Sequence, residues 1–548
     1  MERNTQLASS GSYSASLLGT IRSHLEGLQG YDVMALELIQ NADDAKANEL
    51  IFDITDDGLF VSNSGVFTFC GDLGTRPCSS EQSKKYSCDY HRITEVASGG
   101  KLSRGENIGR FGIGFVSTYQ VTDHPEIRSS GIKLTLHPES GQWFVEQHDQ
   151  PNGTTFFLPW ANDPDTAARR ALGVSHVNSS HIEQLTTDFQ DVLRRSLLFL
   201  RHIRTAEVRR NGQLLLACDL ERKDKSELKI SYRPTGKVER WHILRVDAKV
   251  AAERLYDKHP RLEVLGRDTQ ISIGLRIDQE TLSDGHLYAF LPTEQPTGLP
   301  LHINADFFPE ADRKAVIFSG HQHQQAWNEM LIDVAAQELS SDPEGLMDML
   351  GYSQFWKICN RSFELSKSQY HPSCFSKFWE KLKASGGQAR IAVTQDGSRL
   401  LPRNVLLPND KLDEAQIRAL KEVGGLTALE DLRPYRTVMG QFGAVILTFD
   451  RLVNLIGKAL PAKSGGVTQV DNDEIKNFYR PLWGLVDDLL PERAETASLN
   501  AYAQKLAGIP FAVTADMYLV TMKQSYQVIP ASHAKKVALL LPKMAILS

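Results

Sequence analysis

Cysteine is scarce in this sequence. Six residues in 548 are too few for a disulfide framework, so a reducing compartment is expected. An excess of one charge is missing too. With 61 basic and 67 acidic residues and a formal net charge of −6, no global basic field draws the chain to nucleic acid; a local patch is the remaining route, and nucleic-acid binding is not indicated. Long apolar runs are also absent. The nearest, FGAVILTFDRLVNLIG, is broken by Asp450 and Arg451, which predicts a buried helix rather than a membrane span, and the opening MERNTQLASS offers no apolar signal segment. A soluble, cytoplasmic protein without a membrane partner is the expectation. The length suggests roughly three or four domains.

What is present begins with ALELIQNADDAKA, residues 35–47. Met34, Leu38, Ala42 and Ala45 recur at helical spacing and are expected to face a core, leaving Glu37 and Asn41 one turn apart on another face. A carboxylate there can take a proton from an attacking water, and a carboxamide oxygen is a hard ligand suited to magnesium bridging phosphates. The competing reading is an amphipathic surface helix with a solvated Glu and Asn. Downstream, in NIGRFGIGF, Gly109, Gly112 and Gly114 let the backbone approach an anion and turn its amides toward it, and a helix starting there would add its dipole. Tight turns and close helix packing use the same residues. VSNSG, residues 61–65, follows a strand, and NGTTFFLP, residues 152–159, opens another apolar one.

That order of parts resembles the GHKL ATPase superfamily, the Bergerat-fold group of the large heat-shock chaperone, type II topoisomerases, mismatch-repair ATPases and histidine kinases. ELIQNADDA and IGRFGIGF look most like its sacsin-type, chaperone-related branch, over residues 30–160. The resemblance implies an α/β (α+β) protein: an N-terminal Bergerat-fold sandwich, an α/β transducer-like domain, and a C-terminal region of mixed helix and strand. It implies ATP and Mg2+ as ligands, Glu37 as general base and Asn41 as magnesium ligand, with Asp44 and Ala45 matching the next residues of the motif. The family's adenine motif normally opens with an aspartate; here Asn63 stands there, followed by Ser64 and Gly65, as is common in sacsin-like sequences. An asparagine oxygen still accepts from the adenine amine, without the strength of a charged acceptor. The remaining nucleotide contacts carry over to Gly109, Gly112, Ile113, Gly114, Phe115 and Thr154.

Residues 67–107 then correspond to the ATP lid, where Gly71, Gly74, Ser79, Ser80, Ser98, Gly99 and Gly100 interrupt regular structure. Lys101 is a candidate phosphate contact, against a solvated lid lysine. Cys70, Cys78, Cys88 and His91 lack two closely spaced ligand pairs, which favours ordinary reduced cysteines over a metal site. The hairpin ELIFDIT-DDG-LFVSN turns at Asp56-Asp57-Gly58. Expected domains are 1–160, nucleotide binding; 161–340, transducer-like; and 341–548, for partner or client binding, where IAVT and FAVT suggest two weak repeats.

In the second domain a helix around Glu183 to Leu200 precedes strands from TAEVRRN to HLYAFLP. Arg201, Arg204, Arg209 and Arg210 there read as a wet face rather than a nucleic-acid patch. LPLHINADFFPEADRKAVIF, residues 299–318, resembles the region that sets a basic residue against the nucleotide. Arg313 is the first candidate and Lys314 the second for stabilising charge during phosphoryl transfer, against a reading of both as exposed turn residues.

The expectation is a Mg-dependent ATPase whose cycle drives conformational change in a chaperone-like or remodelling task, with an unknown protein client or partner subunit. A nucleotide-dependent homodimer is expected, with residues 1–16 crossing to the second protomer. Two other readings stand beside it: an ATP-binding switch or scaffold that hydrolyses little, and the motor subunit of a nucleic-acid-processing or antiviral defence complex. A histidine kinase fits poorly, because about thirty residues before the motif helix are too few for a phosphoacceptor hairpin.

Overall fold

The computed structural model describes residues 16–26, 30–84, 87–94, 114–149, 152–224, 226–278, 284–310, 314–320, 322–460, 468–490, 496–513 and 517–521. Lys101, Gly109, Gly112, Ile113 and Arg313, most of residues 1–16 and the later part of the expected lid lie outside them. Two compact units divide the chain, 1–338 and 339–548.

Alternating apolar residues build the sheet of the first unit. In β1 (Glu49–Ile54), Leu50, Phe52 and Ile54 point inward, and the turn at Asp56 to Gly58 folds the chain back into antiparallel β2 (Gly58–Asn63). After β2 come β3 (Glu126–Ser129), β4 (Ile132–His137), β5 (Gln142–Gln147) and β6 (Thr154–Pro159). The second run comprises β7 (Thr205–Arg210), β8 (Gln213–Arg222), β9 (Glu227–Arg233), β10 (Val238–Asp247) and β11 (Gln270–Arg276), then β12 (His286–Ala289), β13 (Leu291–Pro296) and β14 (His302–Asn304).

All fourteen form one sheet, ordered β13-β12-β14-β11-β10-β9-β8-β7-β1-β2-β6-β3-β4-β5. The join is the parallel pair β1–β7, with Phe52 opposite Val208, so the sheet runs through residue 160 without a break. This is the expected α/β class. Three of the four arginines expected on a wet strand face are ion-paired: Arg209 with Glu207, Arg210 with Asp56, and Arg201 with Asp268.

Six helices of this unit are α1 (Leu17–Glu26), α2 (Tyr31–Asp44), α3 (Ser79–Lys84), α4 (Asp89–Ile93), α5 (Ala167–Leu172) and α6 (Ser179–Ser196). Helix α2 packs against α6 and the 3₁₀ helix Gly114–Gln120, and Phe189 of α6 meets Phe52 edge-on at 4.9 Å. The chain enters α2 through Gly30 at φ 110°, a backbone conformation that favours glycine. The Gln120 carboxamide accepts from the Gly30 N–H at 3.0 Å and donates to its carbonyl at 3.3 Å. Met34, Leu38 and Ala42 are buried as their spacing predicts; Ala45 is not. It caps the helix where Lys46 turns the chain at φ 59° toward β1, so its methyl meets Gly65 instead of the core.

The second unit opens on short helices: Pro343–Leu350, capped by the Asp342 carboxylate on the Gly345 N–H, then Tyr352–Leu365 and Ser376–Gly386. A hairpin pairs Ala392–Val393 with Arg399–Leu400 around the Asp396-Gly397 turn. Pro510–Val513 pairs antiparallel with Tyr518–Thr521, so both IAVT and FAVT lead into antiparallel pairs. The run broken by Asp450 forms helix Phe449–Ala459, with Leu452 and Ile456 buried. Among the described residues no helix is long and apolar enough to cross a membrane.

Candidate functional site

Glu37 sits at the middle of α2, 4% exposed, and Asn41 lies one turn on, half-buried. The last glycine of the expected phosphate loop meets the Glu37 carboxylate. A Cβ at Gly114 would lie 1.7 Å from Glu37 Oε2, so only glycine lets this backbone approach the acid so closely. Gly114 opens a 3₁₀ segment rather than an α-helix, with the Ser117 and Thr118 hydroxyls donating back to the Gly114 and Phe115 carbonyls. The Phe115 ring lies 5.7 Å from that of Phe156.

Two turns along α2 lies the expected adenine end. Ala45 and Gly65 are in such close contact that a Cβ on Gly65 would stand 2.8 Å from the Ala45 methyl. Asn63 Oδ1 accepts from the Gly65 N–H at 2.9 Å, which leaves one lone pair for a second donor. Asn63 faces Thr154 across β2 and β6, and Thr154 faces Ser129 across β6 and β3. Thr154 Oγ1 is 2.9 Å from both the Gly65 carbonyl oxygen and Ser129 Oγ. Ser129 Oγ donates to the Gly153 carbonyl at 3.0 Å and accepts from the Phe67 N–H at 3.1 Å. The Tyr90 hydroxyl donates to the Ser129 carbonyl at 2.7 Å, and burial raises its pKa, keeping it a donor. Ser129 could not be found from sequence, since nothing near it marks the strand that brings it beside Thr154.

Asp43, fully buried, has another task. Its carboxylate accepts from the backbone N–H groups of Arg201, His202 and Ile203 at 2.8 to 3.2 Å, fixing α2 to the segment that enters β7. Asp44 is half-buried at the last turn of the helix. The motif's two aspartates look alike in sequence; only the second was singled out there.

On the other flank of α2 a cavity of about 280 Å³ is lined by Asp32, Leu36, Glu37, Gln40 and, from the later half of the unit, Phe308 and Lys314. Glu37 and Lys314, 277 residues apart, thus share one cavity. Lys314 Nζ also pairs with Glu294 at 3.2 Å. Sequence reasoning missed Arg195, Arg261 and Arg267, which line the same space. Arg267 is committed to structure: it pairs with Asp306 at 2.7 Å and lies over the Phe308 ring.

Residues 14–151 match the family model described as Sacsin domain. Over that segment the chain is similar to sacsin domains. Among curated proteins, Protein NO VEIN of Arabidopsis thaliana is 30% identical over 322 residues, 54% of this chain and 10% of that protein. Human Sacsin is 33% identical over 126 residues, 22% of this chain and 3% of that protein. The chain thus spans a tenth or less of the length of either relative. Two solved structures also align: the N-terminal domain of a DNA repair protein (13% identity, TM-score 0.30, 53% of this chain and 88% of that one), and the ATPase domain of Aquifex aeolicus MutL (10% identity, TM-score 0.25, 54% and 95%).

Proposed function

We propose that the first unit binds ATP with magnesium and hydrolyses it, and that nucleotide state drives a conformational cycle of chaperone or remodelling type on a protein client. The observation that carries this reading is the layout of α2. From Glu37 to Ala45 is eight residues, or about 12 Å of helix, with an acid against a glycine at one end and the Asn63–Thr154 pair at the other. A nucleotide laid along that span has its base at Asn63 and its terminal phosphate near Glu37.

In this assignment Asn63 accepts from the adenine amine, and Thr154 holds Gly65 close enough for the base to pack on it. Asn41 offers its oxygen to magnesium, while the amides of Gly109, Gly112, Ile113, Gly114 and Phe115, with Lys101, face the phosphates. Asp44 and Ala45 complete the floor. Bound ATP–magnesium supplies the phosphoanhydride that is cleaved. Glu37 takes the proton of the attacking water, and Lys314 or Arg313 faces the charge that develops on the terminal phosphate. Nucleotide binding promotes a homodimer through residues 1–16.

Glu37→Ala is expected to keep nucleotide binding and lower turnover by at least about a hundredfold, while Asn41→Ala weakens magnesium-dependent binding. Phosphate-release rates equal to the parent's in both variants would remove the assignment, and binding without turnover in the parent would leave an ATP-dependent switch. Light scattering with a non-hydrolysable analogue tests the dimer: a mass unchanged on saturation excludes it.

A further inference from the structure

Three thiols and an imidazole converge outside the nucleotide residues assigned above, although their spacing in sequence reads as unrelated cysteines. Cys70, Cys78, Cys88 and His91 each offer one ligand atom, and all four atoms lie within 4.8 Å of one another. His91 Nδ1 is 3.4 Å from Cys70 Sγ and 3.3 Å from Cys88 Sγ. With zinc–sulfur bonds of about 2.3 Å and zinc–nitrogen bonds of about 2.0–2.1 Å, a tetrahedral site has sulfur–nitrogen edges of about 3.6 Å. The observed edges are close to that.

The surroundings suit a metal as well. His91 Nε2 lies 3.2 Å from the Thr75 carbonyl oxygen; a proton on Nε2 donates there and leaves the Nδ1 lone pair facing the sulfurs, the tautomer a ligand needs. The Cys88 N–H donates to Cys78 Sγ at 3.3 Å, a bond that favours a thiolate. Cys78, Cys88 and His91 are buried, so no solvent position is built into the cluster. Cys70 is half-buried, and its thiol also donates to the Asp72 carbonyl at 3.0 Å, a bond that is given up when its proton leaves.

Between residues 68 and 94 the described chain has two helices of six and five residues, and its buried Leu73, Cys78, Cys88 and Tyr90 join the main core of the unit.

We propose that Cys70, Cys78, Cys88 and His91 form a closed structural site for one zinc-class divalent ion, bound by three thiolates and His91 Nδ1. Each thiol releases its proton to solvent on binding, with no redox change. Because four protein ligands fill the tetrahedron, the ion is structural and not catalytic. It fixes α4, whose Tyr90 braces Ser129 beneath Thr154. The claim concerns metal content and is independent of ATP hydrolysis.

The test uses the full chain purified without chelator. Elemental analysis is expected to find one zinc per chain. Cobalt added to the chelated protein should give tetrahedral d–d bands with sulfur-to-cobalt charge transfer. Cys88→Ser and His91→Ala should lose the ion, whereas Cys374→Ala keeps it. His137→Ala should keep it too, which excludes the more exposed His124, His137 and Glu139 cluster as its source. The cobalt spectrum is read on the parent chain, so a variant that fails to fold does not decide the matter. A metal-free parent that takes up no cobalt, an octahedral cobalt spectrum, or a disulfide among these cysteines by mass spectrometry would each overturn the proposal.

Discussion

Gly114→Ala adds a single methyl group at the point where the glycine segment meets the acid of α2. An ideal Cβ there stands 1.7 Å from Glu37 Oε2 and 2.6 Å from Cδ, whereas ordinary contact begins at 3.4 Å. The carboxylate must therefore retreat by about 1.7 Å, the difference between 3.4 and 1.7 Å. Helix α2 cannot take up that shift, because Met34 and Leu38 are buried on its core side. The side chain moves instead. A misplacement of about 1 Å can cost about a hundredfold in rate, so turnover should fall roughly a hundredfold while nucleotide affinity changes little. Overpacking should cost about 1–3 kcal/mol of stability, visible as a lower melting temperature. The assay pairs steady-state phosphate release with titration of a fluorescent nucleotide. In a Glu37→Ala background the clash is gone, so Gly114→Ala should add no further loss of rate. A folded Gly114→Ala protein with parental turnover, or losses that multiply in the double variant, would refute the reasoning.

Asp43→Asn keeps the shape but removes the charge that receives three backbone N–H groups. It should cost about 1.5–3 kcal/mol, the range for hydrogen bonds to charged groups, read as a lower urea midpoint with faster amide exchange at His202 and Ile203; an unchanged midpoint counts against the anchor. Asn63→Leu should abolish a preference for ATP over GTP by leaving the adenine amine unpaired, and Asn63→Asp should tighten ATP binding. A competition titration with no preference in the parent would show that Asn63 does not read the base.

Local signals in the sequence were sufficient for local structure. The 3.6-residue spacing of Met34, Leu38 and Ala42 marked α2, and Asp56 to Gly58 marked the β1–β2 turn, because in both cases the information lies within a few residues. The same periodicity misled at Ala45, where a left-handed turn at Lys46 ends the helix and redirects its side chain. Non-local pairing was not legible. Nothing in β1 announces that its free edge takes β7, about 150 residues on in the chain, and so nothing announced one sheet across residue 160. The candidate site divides in the same way. Glu37 and Asn41 stand one turn apart on α2, as their spacing predicted, whereas the placement of Ser129, Arg195 and the three-cysteine cluster depends on contacts that only the folded chain makes.

The position of Asp43 gives the motif helix a second function. Its carboxylate binds the backbone just ahead of β7, six residues along α2 from Glu37, so sliding the helix along its axis would break charge-assisted hydrogen bonds of about 1.5–3 kcal/mol each. The parallel β1–β7 pair locks the same two parts of the chain from below. Helix α2 is therefore a fixed frame within the first unit, and a change at Glu37 cannot be transmitted by moving the helix as a body. In the proposed cycle it would pass through side chains that line the shared cavity with Glu37, among which are the cationic Arg195, Arg261 and Lys314. Transmission by that route would depend on the Lys314–Glu294 ion pair, whose exposed partners, each with more than half of the side chain in solvent, hold one another weakly enough to exchange.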